Sequence, residues 1–397
     1  MDENAFQETF SAGIEALKTG RLEEARAHFE KAAAVQAGDL RVHLALATVA
    51  TRLGDREAAI GHYQTALGID PSHPDIHYNL GMLHLELGRR DGAERHFLRC
   101  LELRPASPPA RNSLAKVYWD SGRFDEAVAA YRQSLGCDPR GLVANYNLGV
   151  LLAERQRFGE AEPCLRTALE LSPESAEIHT ALAGALASLG RPQEAGEHCR
   201  RALGLAPAVD ATWQTLGGLC HKLGLTAEAG TAYQRYLARH ADDADAWIGL
   251  GVAFGKAGKA AESEACYRRA LELNPGVPLA QNNLATALLQ QGKRAEAKVL
   301  CLSILADRPN DAKARYCLGH VQLDEGEWLE GWENNEARWE ALEKPRPSCL
   351  PGPAWRGEPL AGKHLLLWPE QGHGDNLMMF RYAKPLAAQA GRLTLIA

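Results

Sequence analysis

Residues 74–107 read PDIHYNLGMLHLELGRRDGAERHFLRCLELRPAS, and residues 108–141 read PPARNSLAKVYWDSGRFDEAVAAYRQSLGCDPRG. Laid one over the other without a gap, they share Leu80 with Leu114, Gly81 with Ala115, Gly88 with Gly122, Ala93 with Ala127, Phe97 with Tyr131 and Pro105 with Pro139. The same 34-residue spacing extends in both directions. The proline slot recurs at Pro71, Pro173, Pro207, Pro275 and Pro309, and the glycine slot at Gly20, Gly54, Gly190, Gly224, Gly258, Gly292 and Gly326. A fixed period of this length predicts stacked two-helix units, each burying its apolar face against its neighbours.

Each slot has a physical task. The glycine follows an amphipathic stretch and takes the left-handed conformation that ends a helix. The leucine and the small residue, as in Leu148-Gly149 and Leu182-Ala183, lie where a second helix must come close. The alanine (Ala25, Ala59, Ala161, Ala195, Ala229, Ala297) meets that contact from the other side, and Phe29, Tyr63, Leu165, Tyr233 and Tyr267 fill the next layer. The proline stops the second helix and pushes the preceding residue out of the helical region. Asp125-Glu126 and Glu23-Glu24 place acids where the second helix begins, which suits its dipole. Departures are few: Gln156 for the turn glycine, Ala241 for the proline, Ser263 for the alanine, and Pro163 near the first turn of a second helix.

These residues resemble the tetratricopeptide repeat (TPR). The fold class expected is therefore all-α: a superhelical solenoid of antiparallel helix pairs over 1–340, about nine full repeats from 6–39 to 278–311 and a partial tenth. The resemblance implies a concave face lined by the first helix of each repeat. Asn79, Asn147 and Asn283 precede the recurrent leucine on that face, with Asn112, Asn145 and Asn282 nearby. Amides offer a donor and an acceptor to an extended peptide backbone, and the row is similar to the asparagine ladder in the TPR region of protein O-GlcNAc transferases. Tyr78, Trp119, Tyr146 and Tyr316 are aromatic candidates for the groove or for packing. Asn112 with Lys116 is the nearest trace of a carboxylate clamp, too little charge for a chaperone adaptor.

Composition narrows the partners. The formal net charge is -6, with 24 % charged and 46 % hydrophobic residues, and nothing marks a nucleic-acid surface. No stretch reaches the length of an apolar membrane span, and Met1-Asp2-Glu3-Asn4 does not begin like a signal peptide, so a cytoplasmic protein is expected. The nine cysteines form no CxxC; Cys100, Cys199 and Cys301 share a packing slot, and Cys164 and Cys266 share another. His73 and His77 flank Pro74 and Asp75, where a turn with exposed imidazoles is expected in place of a metal pair. No cofactor and no metal are expected.

After about residue 340 the pattern changes. Pro345, Pro347, Pro351, Pro353 and Pro359 with Gly352, Gly357 and Gly362 mark a linker over 341–362. His364-Leu365-Leu366-Leu367-Trp368 reads as a buried strand, 375–390 as a helix and Leu393-Thr394-Leu395-Ile396 as a second strand, the opening of an α/β sheet over 363–397. GEWLEGW, EARW and PAWRGEPLAGKHLLLWPEQGHGD, in that order, resemble bacterial TPR proteins whose C-terminal part is glycosyltransferase-like, similar to the heptosyltransferase branch of the GT-B fold. That resemblance implies Asp375 as a base for an acceptor hydroxyl, with Gly372 and Gly374 shaping the loop and a nucleotide sugar bound only in a full-length relative. With the second GT-B half missing, the chain as given is expected to be a fragment without transferase activity. The leading expectation is a protein- or peptide-binding scaffold. The alternatives are the recognition arm of a glycosyltransferase and a scaffold that self-associates end to end.

Overall fold

The computed structural model describes residues 2–343, 361–362, 364–367, 388 and 392–395. They divide into two compact units, Met1–Pro309 and Asn310–Ala397.

The first unit is nine successive helical hairpins: α1 (Asp2–Lys18) with α2 (Leu22–Val35), α3 (Leu40–Leu53) with α4 (Arg56–Ile69), α5 (Pro74–Glu86) with α6 (Arg90–Leu103), and α7 (Pro108–Asp120) with α8 (Phe124–Cys137). Then follow α9 (Leu142–Glu154) with α10 (Phe158–Leu171), α11 (Ala176–Ser188) with α12 (Pro192–Gly204), α13 (Asp210–Lys222) with α14 (Thr226–Leu237), α15 (Ala244–Lys256) with α16 (Ala260–Leu273), and α17 (Pro278–Gln290) with α18 (Arg294–Asp307). From α3 to α17 the odd-numbered helices begin at the unit starts read from the period.

The turn and stop residues act as their chemistry requires. Gly54, Gly88, Gly122, Gly190, Gly224, Gly258 and Gly292 all have φ between 70° and 81°. Gln156 takes the same conformation at φ 59°, at a cost of about 1 kcal/mol for a side chain there. Asp70, Arg104, Asp138, Ser172, Asn274 and Arg308, each just before a proline, leave the helical region with φ between -129° and -143° and close the second helices. Where Ala241 replaces the proline, α14 stops early, at Leu237. Pro163 lies inside α10 without ending it, since the carbonyl it leaves without an amide partner is that of exposed Gly159. Ser263 is buried in its alanine slot, and its hydroxyl donates to the Gly251 carbonyl at 2.8 Å.

Packing within a hairpin is set by two slots. A Cβ placed on Gly81 would stand 2.6 Å from the Phe97 ring, and one on Gly149 would stand 2.6 Å from Leu165. Ala183 and Ala285 occupy the same slot opposite Cys199 and Cys301, both fully buried, and Ala47 and Ala115 occupy it opposite Tyr63 and Tyr131. Between hairpins, first helices touch first helices at α1·α3, α5·α7, α7·α9, α9·α11, α11·α13, α13·α15 and α15·α17, whereas second helices meet at α12·α14. The row of first helices is therefore the closely spaced, inner side of this unit.

The second unit contains α19 (Ala312–Glu325), α20 (Trp328–Asn335) and α21 (Arg338–Ala341), then β1 (His364–Leu367) and β2 (Arg392–Leu395). Gly319 lets α20 approach its backbone, with the Gly331 carbonyl oxygen 2.9 Å from where a Cβ would sit. β1 and β2 pair in parallel, His364 opposite Arg392 and Leu367 opposite Leu395. Of the helix read over 375–390, Ala388 is described, and it is helical. Among the described residues, no helix is long and apolar enough to cross a membrane.

Candidate peptide-binding groove

The fourth residue of every first helix from α3 to α17 carries a side-chain N–H that reaches back six residues to a backbone carbonyl. His43 bonds to Ala37 at 2.8 Å, His77 to Pro71 at 3.4 Å, Asn145 to Pro139 at 3.1 Å and His179 to Pro173 at 3.1 Å. Trp213 bonds to Pro207 at 2.9 Å, Trp247 to Ala241 at 3.0 Å and Gln281 to Pro275 at 3.1 Å, and Arg111 bonds to Pro105. Histidine, arginine, asparagine, tryptophan and glutamine share only the donor. Each ties the loop after one hairpin to the helix that opens the next, which fixes the height of the residues lining the inner row.

Two of these donors carry a second bond. The carbonyl acceptor puts the proton of His179 on Nε2, so its Nδ1 accepts, and His198 Nδ1–H donates to it at 2.8 Å. His77 and His96 repeat the arrangement at 3.1 Å. Burial, and then the neighbouring His77 and His84, push His96 down to about 4. The exposed imidazole expected at His77 is thus corrected: it is only 9 % exposed, and the Pro71 carbonyl and the His96 ring take up both of its nitrogens.

The candidate asparagines have unequal surroundings. Asn79 is half-buried and its Nδ2 donates to Tyr63 Oη at 3.1 Å. Asn147 stands beside Tyr131, and Asn283 beside Tyr267, in the same relation, sixteen residues apart each time. The Tyr131 hydroxyl is buried and makes no well-formed hydrogen bond, so its contact with Asn147 is the looser one. The slot is asparagine where the preceding hairpin offers a tyrosine; after Phe29, Phe97, Leu165 and Cys199 it is Ala45, Ser113, Ala181 and Thr215. The exception, Tyr233, is followed by Gly249, where a side chain would collide with the Tyr233 ring. The Asn79 side chain makes no other hydrogen bond, so one N–H and its Oδ1 are left without a protein partner. Asn145 instead spends its amide N–H groups on the Pro139 and Gly141 carbonyls, and Asn282 is only 7 % exposed, so neither presents its amide to a ligand. Asn112 is half-buried, and its Oδ1 has no hydrogen-bond partner.

The aromatic candidates are packed. Tyr78 lies against Phe97 with ring centroids 5.9 Å apart. Tyr146 packs on the central core, and burial raises its hydroxyl pKa. Trp119 donates to Glu154 at 3.1 Å, and Tyr316, in the second unit, meets His320 edge-on. Gly372, Gly374 and Asp375 lie outside the described residues. Among the described residues, no group of three His, Cys, Asp or Glu side chains could hold a metal ion.

Family models described as tetratricopeptide repeat match residues 78–141 and 146–210, 244–277 and 279–308, and a model described as TPR repeat matches 49–88. Together these stretches cover more than half of the chain, which belongs to the tetratricopeptide repeat family. No curated protein matches it. Among solved structures, it is similar to the APC/C hetero-tetramer Cut9-Hcn1, at 18 % identity and TM-score 0.49 over 67 % of this chain and 52 % of that one. It thus spans about half of that relative's length. PilF of Pseudomonas aeruginosa matches at 23 % identity and TM-score 0.47, over 55 % of this chain and 99 % of that one. YrrB, a TPR protein with an unusual peptide-binding site, matches at 20 % identity and TM-score 0.40, over 46 % of this chain and 95 % of that one.

Proposed function

We propose that the first unit is a protein-interaction scaffold, acting in the cytoplasm, that binds an extended peptide along the row of first helices. The observation that carries this reading is the set of half-buried asparagines at one height, Asn79, Asn147 and Asn283, each held beside a tyrosine. A fixed amide with free donor and acceptor capacity binds a peptide backbone without first losing its own rotamer freedom. The test separates the groove from the packing. A peptide selected from a displayed library on the intact protein should bind at least tenfold more weakly to the Asn79→Ala, Asn147→Ala, Asn283→Ala triple variant. It should bind only slightly more weakly, by about threefold or less, to the Tyr63→Phe, Tyr131→Phe, Tyr267→Phe triple variant, which loosens the amides without removing them. Equal weakening by both sets, in step with their melting temperatures, would reduce the asparagines to structural partners.

The parallel pairing of β1 with β2 favours a second reading, in which the solenoid is the recognition arm of a glycosyltransferase. Gly372, Gly374 and Asp375 would then belong to the acceptor side of its site. The product of the whole reading frame should transfer sugar from a nucleotide sugar, and Asp375→Asn should lower kcat at least a hundredfold with little change in KM. Transfer unaffected by that substitution would remove Asp375 from the reaction.

A further inference from the structure

The outer side of the first unit carries a ladder of ion pairs between second helices, each spanning 28 residues. Arg132 reaches Glu160 at 2.6 Å, Arg166 reaches Glu194 at 3.3 Å, Arg200 reaches Glu228 at 3.2 Å and Arg268 reaches Glu296 at 2.8 Å. One rung between them is incomplete. Where the next arginine would stand the chain has Gln234, yet the acceptor, Glu262, is retained. Glu262 is exposed and has no ion-pair or hydrogen-bond partner among the described residues.

A cavity of about 430 Å³ opens at that junction. Its walls are Leu237, Trp247, Leu250, Phe254 and Cys266, with Gln234 and Glu262 at the rim. α14 ends at Leu237, and the next residue, Ala238, also lines the cavity. Trp247 is held in position by its bond to the Ala241 carbonyl. Burial and then Glu262 push the Cys266 thiol up to about 11, so it stays neutral and adds apolar wall at neutral pH. The only cation on the aromatic wall among the described residues is Lys259, 5.7 Å from the centre of the Phe254 ring. It leaves Glu262 unpaired.

We propose that this junction is a docking site for an arginine side chain of a partner polypeptide, which supplies in trans the rung that Gln234 omits. The guanidinium plane suits both features of the site. It stacks on aromatic faces and pairs with a carboxylate in bidentate fashion, while its aliphatic stem covers apolar wall. A lysine would meet the carboxylate as a point charge and lose the stacking. The occupant is therefore a basic segment in which apolar residues flank the arginine. This site is built by α14, α15 and α16 and does not rest on the asparagine groove; variants of Asn79, Asn147 and Asn283 leave it intact.

The test uses the full chain and a fluorescein-labelled Gly-Leu-Arg-Leu-Gly peptide, with its twin carrying citrulline, which keeps the shape and removes the charge. By fluorescence polarisation the arginine peptide should bind at least tenfold more tightly than the twin. Glu262→Gln should erase that preference. Gln234→Arg, which completes the rung internally, should erase it too without lowering the melting temperature. Binding of both peptides alike, absence of binding by the arginine peptide at millimolar concentration, or a preference that survives both substitutions would each overturn the proposal.

Discussion

Gly81→Ala should destabilise the first unit by about 1–3 kcal/mol, and the same substitution should become neutral or stabilising once Phe97 is changed to cysteine. The cause is the 2.6 Å approach of the Phe97 ring to the place where the new methyl group would sit. The ring is fully buried, clustered with Ala93 of its own hairpin and with Leu114 and Val117 of the next, so it can move only by displacing packed neighbours. Phe97→Cys alone removes most of a buried aromatic and should cost about 3 kcal/mol. The chain itself contains that combination, since Ala183 faces Cys199 and Ala285 faces Cys301; it also carries Ala47 opposite Tyr63 and Ala115 opposite Tyr131, so the cost at Gly81 is that of respacing a hairpin closed on glycine. The two changes should thus couple favourably by about 2 kcal/mol in a double-mutant cycle, read from urea unfolding of the four proteins. Costs that simply add would mean that the ring yields and the slot does not discriminate by size.

The architecture was legible because the repeat writes the same physical instruction many times. A left-handed turn needs glycine, a helix stop needs proline, and a close crossing needs a small residue, so identity and position coincide. What stayed hidden depends on function shared by unlike side chains. The loop-locking slot is filled by His43, Arg111, Asn145, Trp213 and Gln281, which have nothing in common but an N–H, so no residue pattern marks it. The pairing of Asn79 with Tyr63 was readable in principle: asparagine follows tyrosine at sixteen residues three times and follows phenylalanine never. Reading asparagine alone as a ligand contact missed the tyrosine that holds it. Asn282 was misplaced for a different reason. Its neighbour Asn283 shares its chemistry, and one step along a helix turns a side chain by about 100°, enough to bury one and leave the other at the groove.

The broken rung belongs to a third kind. Gln234 is an unremarked polar residue until the four arginines in its slot are seen to reach the next second helix; only then does Glu262 stand out as an acceptor with no donor. A repeat protein thereby marks its own sites by deviation. The departures read from the sequence, Gln156, Ser263 and Pro163, are absorbed locally by a strained turn, a hydroxyl bond and an exposed glycine. Ala241 is absorbed differently. It lets α14 end at Leu237, on the wall of the cavity beside the unmatched carboxylate.

Acid should weaken this protein between about pH 6.5 and pH 4, with the histidine pairs as a named cause. His96 is held neutral in the fold down to about 4, chiefly by burial and then by His77 and His84, whereas a free imidazole takes its proton near 6.5. Burial likewise lowers His77, His179 and His198. In that interval the unfolded chain binds more protons than the folded one, so stability rises with pH and is lost as pH falls. The bonding explains why protonation is resisted. His179 must accept through Nδ1, because Nε2–H is committed to Pro173; a protonated ring would set N–H against N–H at 2.8 Å. For His96 alone, the displacement corresponds to about 3 kcal/mol at pH 4 on a scale of 1.36 kcal/mol per tenfold in proton affinity, or about 2 kcal/mol after allowing for its partial exposure. The slot shared by His96 and His198 is alanine at Ala130 and Ala232, so His96→Ala with His198→Ala is compatible with the fold. That variant should lose about 1 kcal/mol per broken bond at pH 7.5, yet show a flatter profile, with several kcal/mol less lost on moving to pH 4.5. Urea unfolding at the two pH values decides it: parallel losses in the variant and the parent would show that other groups set the acid sensitivity.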